Sequence, residues 1–389
     1  MPAPYTLAGV ITWRNGTVAG TRRQWPGAVE LDVTVEGTPA RTVRALAYPA
    51  LTGFPRPGDR VLLNTTALDL GLGTGGYALV VAIPDRLPPD PAGPDPAGTE
   101  PGGYLVKARY TPLQVTVPGA DEQTSPYHEV LRDADDIGGM PVVVADLHSA
   151  LPAVLAGVFD WAERAAAGAP GPCDPPVVVY VMQDGGALPA WFSRTCAALK
   201  DAGWLAATVT TGQSFGGDLE TVTVHTGLLA ARHVLAADVA VVTQGPGNLG
   251  TGTRWGYSGV AAGEAVNAVA SLGGRPVACL RVSEADPRER HRGISHHSLT
   301  AYGRVALTRA DVVVPSLPGR FGAQVAAEAS ELGGRHTIVT VPVDGLEAAL
   351  RDSPARLSTM GRGLDEDFAY FLAAAAAGRH ARRLLRGQP

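Results

Sequence analysis

Val239-Ala-Val-Val-Thr-Gln-Gly-Pro-Gly-Asn-Leu-Gly250 is a short apolar run that ends in a glycine-rich polar turn. It is too short for a helix and rich in valine, as expected of a strand buried on both faces. The same unit recurs downstream and upstream: Val142 to Asp146, Val177 to Met182, Ala206 to Thr211, Pro276 to Val282, Val312 to Pro315 and Thr337 to Val341 are further strand candidates, separated by stretches of helical character. Successive candidates start roughly 20 to 40 residues apart, the size of strand-helix-strand units. The reading is an α/β fold: a Rossmann-like, largely parallel sheet with helices on both faces. Pro189 near the start of one helix and Gly273-Gly274 after another fit helix start and stop chemistry. Asp365 to Leu385 reads as the last helix.

Upstream, Val29, Leu31, Val33 and Val35 alternate with Glu30, Asp32, Thr34 and Glu36. That period of two marks a strand with one buried face. Asn15-Gly16 suits a hairpin turn, and Pro57-Gly58-Asp59 a second turn ahead of Arg60 to Asn64. With Thr42 to Tyr48 and Tyr77 to Ile83, these segments predict a small N-terminal β-barrel or β-sandwich over residues 1–83. Residues 84–103 hold seven prolines in Pro-Asp-Pro-Ala-Gly-like repeats. They are too poor in apolar side chains to repay ordering, and read as a linker or loop insertion. The α/β domain is expected over 104–389, with 104–118 assignable to either domain.

Composition bounds the function. Of 389 residues, 45% are hydrophobic and 18% charged, a globular balance. Lys+Arg of 32 against Asp+Glu of 37 leaves a net charge of −5, which argues against nucleic acid as the main partner. No apolar run approaches the ~18 to 20 residues of a membrane span, and Met1 to Gly16 has no basic start leading into an apolar stretch. A cytoplasmic protein with no membrane partner is expected, and a homo-oligomer is left open. Cys173, Cys196 and Cys279 are scattered without a Cys-x-x-Cys, so they read as small buried hydrophobes rather than disulfides or thiolate ligands. Lys107 and Lys200 are the only lysines, and neither stands in a Gly-Lys-Ser/Thr step, which excludes a phosphate-loop NTPase.

In an open parallel sheet, ligands bind where the strands end. The segments past the strands are therefore the candidate site. Gly245-Pro-Gly247-Asn-Leu-Gly250 has the dinucleotide-binding spacing, but with 48 glycines such a match arises by chance about 0.7 times in this chain. The next acidic strand end, Glu284, also lies too far on for a Rossmann turn. The loop through Gly245, Gly247, Asn248, Gly250, Thr251, Gly252 and Thr253 suits an anion cradle, with Arg254 as a fork and Ser258 as the N-cap of the following helix. A purely structural loop is the alternative. Gly212-Gln-Ser214-Phe-Gly216 has the nucleophile-elbow pattern, but the helical pattern resumes only near Glu220, so Ser214 is not read as a nucleophile.

The densest polar run is Asp286-Pro-Arg-Glu-Arg-His-Arg-Gly-Ile-Ser-His-His-Ser298, which holds three of the nine histidines. His291, His296 and Asp286 are candidate proton-transfer groups. Arg288, Glu284 and Asp184 are candidate ligand-binding residues, and Asp146, His148 and His297 candidate ligands of a divalent metal. The alternative is a helix cap with arginines paired to Asp286 and Glu289. Arg254, Asp286, Arg288, His291 and His296 are expected to share one pocket, because consecutive parallel strands end on one edge. His128, His225, His233 and His336 read as loop or core histidines. Trp161, Trp191 and Trp204 read as packing residues, and Arg379 to Arg386 as cations at a helix C-terminus.

Tyr110-Thr-Pro-Leu-Gln114, Gln244-Gly-Pro-Gly247 with Gly250-Thr-Gly-Thr-Arg254, and Asp286-Pro-Arg-Glu-Arg-His291 with Gly293-Ile-Ser-His-His297 resemble the bacterial family known as domain of unknown function 3866. The resemblance spans most of the chain, and its last motif is the most specific. That family implies no activity, so no residue role carries over from it. The functional expectation is a protein that binds a small anionic molecule, phosphate- or carboxylate-bearing, at the C-terminal edge of a parallel sheet, as a hydrolase or transferase. The alternative is a non-catalytic ligand sensor or scaffold. No cofactor is identified beyond a candidate divalent metal.

Overall fold

A computed structural model describes residues 10–72, 75–90, 103–160 and 175–387. The chain divides into two compact units, residues 1–100 with 111–115, and residues 101–110 with 116–389. Residues 91–102 of the expected linker, Trp161 and Cys173 lie outside the described residues.

In the first unit, strands β1 (Trp13–Trp25), β2 (Ala28–Val35), β3 (Arg41–Ala47), β4 (Arg60–Asn64) and β5 (Ala78–Ala82) close into a barrel in the order β1-β2-β3-β5-β4. Its pairs are antiparallel except β3 with β5. The alternation read in β2 is what fills the barrel: Val29, Leu31, Val33 and Val35 pack inside with Val18, Val61, Leu63 and Val80. Closure comes from β1, which pairs with β4 through Trp13 to Thr17 and with β2 from Gly16 onward. Asn15-Gly16 is therefore inside a strand, not at the expected turn. A Cβ on Gly16 would sit 2.7 Å from Val33 Cγ1 and 3.0 Å from Thr34 O, so glycine here permits close approach of strands. The turn joining β1 to β2 is made one strand-length later, at Gly27 with φ +81°. Gly58, φ +90°, makes the second turn where Pro57-Gly58-Asp59 predicts it.

The second unit is built on an eight-stranded sheet of β6 (Pro141–Val144), β7 (Val178–Gln183), β8 (Ala207–Thr210), β9 (Leu219–Glu220), β10 (Val239–Gln244), β11 (Arg275–Cys279), β12 (Asp311–Ser316) and β13 (Thr337–Pro342). The order is β9-β8-β7-β10-β6-β11-β12-β13, and every pair is parallel. All seven predicted strands are present; the two-residue edge strand β9 was too short to show a pattern. Alternate strand residues enter two separate cores. Val143, Tyr180, Val241, Val277 and Val313 pack under α1 (Leu151–Val158) and α6 (Phe368–Leu385). Val142, Val144, Val181, Val242 and Val312 pack under α2 (Val224–His233), α3 (Ala261–Ser271) and α5 (Gly319–Ser330). Both faces are thus covered, which is why these strands read as unbroken valine-rich runs.

Two glycines set the crossing of α1 and α6. A Cβ on Gly157 would fall 1.9 Å from Ala375 O, and one on Gly378 1.9 Å from Val154 O, so the helices meet backbone to backbone. Arg379, read from the sequence as a cation near a helix C-terminus, is buried there and pairs with Asp160. Trp204 packs its ring on Phe159, and Trp191 meets Phe215 edge-on. Strand β6 runs on into α1 beneath one face, whereas β10 and β11 are followed by elements packed on the other. In open sheets, connections leaving in opposite directions form a crevice at the strand ends, the usual ligand position. Among the described residues no helix is long and apolar enough to cross a membrane.

Candidate functional site

Asp146 follows β6, and Arg281 follows its neighbour β11. Both are buried, and Arg281 Nη1 lies 4.0 Å from Asp146 Oδ2. Beyond Arg281 the chain forms a small antiparallel ladder, Val282–Ser283 with Gly293–Ile294, with a helical turn Glu289–His291 between the two. The ladder returns the chain to Arg281, whose carbonyl accepts from Ser295 N at 2.8 Å. Ser295 then caps α4 (His296–Thr300), its Oγ accepting from His297 N at 3.2 Å. This fold-back explains the dense polar run: it carries His291, His296 and His297 onto the end of the sheet.

One nitrogen from each of those three histidines lies within 4.8 Å of the others. The ring of His297 stacks on Tyr257 at 3.7 Å between centroids, and Tyr257 Oη donates to His297 O at 2.7 Å. His291 Nδ1 is 2.7 Å from Ser295 Oγ. His297 Nδ1 lies 3.6 Å from Asp146 Oδ2. Three buried atoms here have no hydrogen-bond partner: Asp146 Oδ2, His296 Nε2 and His297 Nδ1. Buried polar atoms are rarely left so, and their grouping marks a place where something else supplies the partner. Burial, then the charges of Arg281 and Arg288, lower His291 to about 3. Burial, then His297 and Arg290, lower His296 to about 4, so both rings are neutral and able to act as ligands or proton acceptors at pH 7.

Asp286 lies beside this cluster but is held by arginines. Arg288 grips it with Nε and Nη2, both at 2.9 Å, while Arg362 Nη2 is at 3.3 Å and Arg281 Nη2 at 3.4 Å. Burial pushes the Asp286 carboxyl up, but the Arg288 hydrogen bonds and the charges of Arg288 and Arg362 outweigh it, leaving the group well below the usual carboxylate range. A carboxylate so engaged has little capacity to take a proton. Arg362 also pairs with Asp367, which accepts from Ser283 Oγ. Arg281 and Arg362 were not found by sequence reasoning. A signal existed for Arg281, the one charge inside the apolar run Pro276 to Val282. Arg362, in Gly361-Arg-Gly363, offered none.

The glycine-rich loop is used differently from the expected cradle. Gly245 N donates to Gln183 O, Leu249 N to Ser258 Oγ and Thr251 N to Gly256 O, so three of the loop's amides are already engaged. The helix start behind the loop is occupied too: Asn248 Oδ1 accepts from Ser258 Oγ at 2.8 Å and Gly259 N at 3.3 Å, which makes Asn248 the capping side chain rather than Ser258. Gln244 Nε2 joins the loop to the site by donating to Asp146 O and Asn248 Oδ1. Gly250 bridges Tyr257, so residues Thr251 to Gly256 form an exposed turn that presents Thr253 and Arg254 to solvent. The tip reaches Arg290: a Cβ on Gly252 would lie 3.9 Å from Arg290 Nη2. A Cβ on Gly247 would meet nothing within 4 Å, and glycine is favoured there by its φ of +90°.

Other expected site residues stand apart. His148 has both ring nitrogens engaged, with Tyr180 Oη at 3.0 Å and Ser193 Oγ at 2.8 Å, and so has no lone pair to offer a metal. Asp184 is exposed and accepts from Gln213 N. Glu284 is exposed and lines a separate cleft of about 700 Å³ with Asp365, Glu366 and Arg320. Ser214 Oγ is buried without a partner, and the next α-helix begins only at Val224. His128 and His233 bond backbone carbonyls, and His336 bonds Ala310 N and Tyr302 O.

The family model described as Protein of unknown function (DUF3866) matches residues 44–378. The chain belongs to the DUF3866 family. No curated protein and no solved structure gives a match. The matched span of this DUF3866 chain contains Asp146, Arg281, the three clustered histidines and Arg362, so the whole crevice lies within the family region. Arg290 makes no hydrogen bond or ion pair among the described residues, and its charge is felt at His296. Arg281, Arg288 and Arg362 are paired with Asp146, Asp286 and Asp367, whereas Arg290 has no such carboxylate among the described residues.

Proposed function

We propose that this DUF3866 protein binds a small anionic molecule, phosphate- or carboxylate-bearing, in the crevice beyond β6 and β11, and acts on it as a hydrolase or transferase. The observation that carries this reading is the state of Arg281. Its side chain is buried, yet its guanidinium makes one hydrogen bond, at 3.4 Å to Asp286, and stands 4.0 Å from Asp146. A guanidinium has five donors in a planar fork that matches an oxyanion. Spare donors on a buried cation, beside neutral histidines and under the unpaired Arg290, suit an anionic group with proton-transfer residues next to it.

The test is calorimetric titration of the wild-type chain, Arg281→Lys and Arg281→Met with inorganic phosphate. Arg281→Lys keeps the charge but loses the fork, so affinity falls by about tenfold or more, roughly 1.4 kcal/mol. Equal affinity in all three proteins overturns the reading. Turnover of a panel of phosphate and carboxylate esters then separates an enzyme from a protein that only binds.

A further inference from the structure

We infer that His291, His296 and His297 are three ligands of one divalent transition-metal ion, with Asp146 beside them. The inference gives the three histidines the role of ligands rather than proton-transfer groups, and it stands without the anion reading that Arg281 carries.

The donor set comes first. Three imidazoles with nitrogens within 4.8 Å of one another match the three-histidine sets that hold zinc in catalytic sites. At bond lengths of about 2.0 to 2.1 Å, nitrogens on one ion are at most about 4 Å apart. Around a tetrahedral ion they are about 3.4 Å apart, so the widest pair has to close by up to about 1.4 Å, within the reach of modest χ rotations. Imidazole donors suit zinc, copper, iron and nickel rather than magnesium or calcium.

Orphaned atoms give a second, independent observation. His296 Nε2 and His297 Nδ1 are buried and lack any partner, and so is Asp146 Oδ2. Leaving three such atoms together is costly unless a cation completes them. The surrounding shell also has the features of a metal site. With His291 Nδ1–H donated to Ser295 Oγ, its Nε2 is left as the ligating atom, the usual division of labour for a ligating histidine. Tyr257 holds the His297 ring by stacking and binds its carbonyl. Ser295 thus orients one histidine through its side chain and fixes the helical turn that carries the other two.

Asp146 is not among the three mutually close residues, but its unpartnered Oδ2 is 3.6 Å from His297 Nδ1. That places a carboxylate beside the histidine cluster. A metal-bound water loses a proton near neutral pH. Here that proton would leave to solvent, and the hydroxide held by the three histidines' ion would be the nucleophile a hydrolase requires.

The experiment uses untagged full-length chain stripped with EDTA and titrated with zinc alone, bound metal being counted by elemental analysis. One zinc per chain is expected in the wild type. His291→Ala, His296→Ala and His297→Ala each weaken binding by tenfold or more, whereas His225→Ala, at an exposed position, does not. His296→Gln, at a half-buried site, is the second variant should an alanine variant fail to fold, with circular dichroism reporting the fold. Cobalt(II) substitution adds a visible d–d spectrum characteristic of low coordination number. No zinc binding by the folded wild type, or zinc affinity unchanged in folded His296→Ala or His296→Gln, overturns the inference. Arg281→Lys retains zinc, so loss of phosphate binding with zinc intact bears on the anion reading alone.

Discussion

His297 Nδ1 faces Asp146 Oδ2 at 3.6 Å, and neither atom has a hydrogen-bond partner. Asp146 is also 4.0 Å from Arg281. The one carboxylate therefore partly cancels the cation on which the proposed anion binding rests. Asp146→Asn removes that competing charge while keeping the shape. Inorganic phosphate then binds about tenfold tighter, a change of roughly 1.4 kcal/mol, in the direction opposite to Arg281→Lys. Any turnover found with the wild type falls by about 10² or more, because the carboxylate beside the histidines is gone. Titration calorimetry on the two variants gives both signs.

Asp286 is a brace. Its carboxylate is fully buried and meets Arg281, Arg288 and Arg362. Removing one partner of a buried ion network leaves uncompensated charge, so Asp286→Ala lowers stability by about 3 to 5 kcal/mol. Urea unfolding of the variant measures this. A variant that keeps wild-type stability and loses only turnover would instead return Asp286 to the proton-transfer role expected from its sequence context.

Ser214 is inert. A fluorophosphonate probe leaves the folded protein unlabelled, since its Oγ is buried and Lys107 Nζ is engaged by the carbonyls of Ser214 and Thr221. Ser214→Ala removes an unpaired buried hydroxyl and so leaves stability unchanged or raises it by about 1 kcal/mol. Mass spectrometry after labelling and a urea titration decide both points.

His148 makes stability depend on pH. Burial lowers it from 6.5 to about 4. Between those values the unfolded chain binds the proton that the folded one refuses. The stability it contributes is full above about pH 6.5 and is lost as pH falls toward 4, by roughly 3 kcal/mol. The measurement is unfolding free energy at pH 7 and pH 4.5 in wild type and His148→Gln, whose difference narrows over that interval.

Gly378→Ala tests the helix crossing. The new methyl would meet Val154 O at 1.9 Å, and a backbone carbonyl inside a packed helix cannot move aside as a side-chain end can. The loss is at least about 2 kcal/mol despite alanine's better helix propensity, and a thermal melt records it.

The valine-rich runs of β6, β7, β10 and β12, the alternation in β2 and the turn at Gly58 could all be read along the chain, because burial on one or two faces and a positive φ leave local marks. The presence of His291, His296 and His297 on one short segment was equally local. Other features had no local mark. Asn15-Gly16 carries a turn's residues yet lies in a strand, because closing the barrel brings Val33 against it. The loop from Gly245 has the composition of an anion cradle, but three of its amides are engaged by Gln183, Gly256 and Ser258 once it folds. The sequence by itself determined which segments are strands and which residues follow them. Only the tertiary structure decided that β6 would lie beside β11, and hence that Asp146 would meet Arg281 and His297. Strand order and the pairing of buried charges are settled by packing between distant segments, where the cost of an unpartnered charge is felt only after the neighbours have arrived.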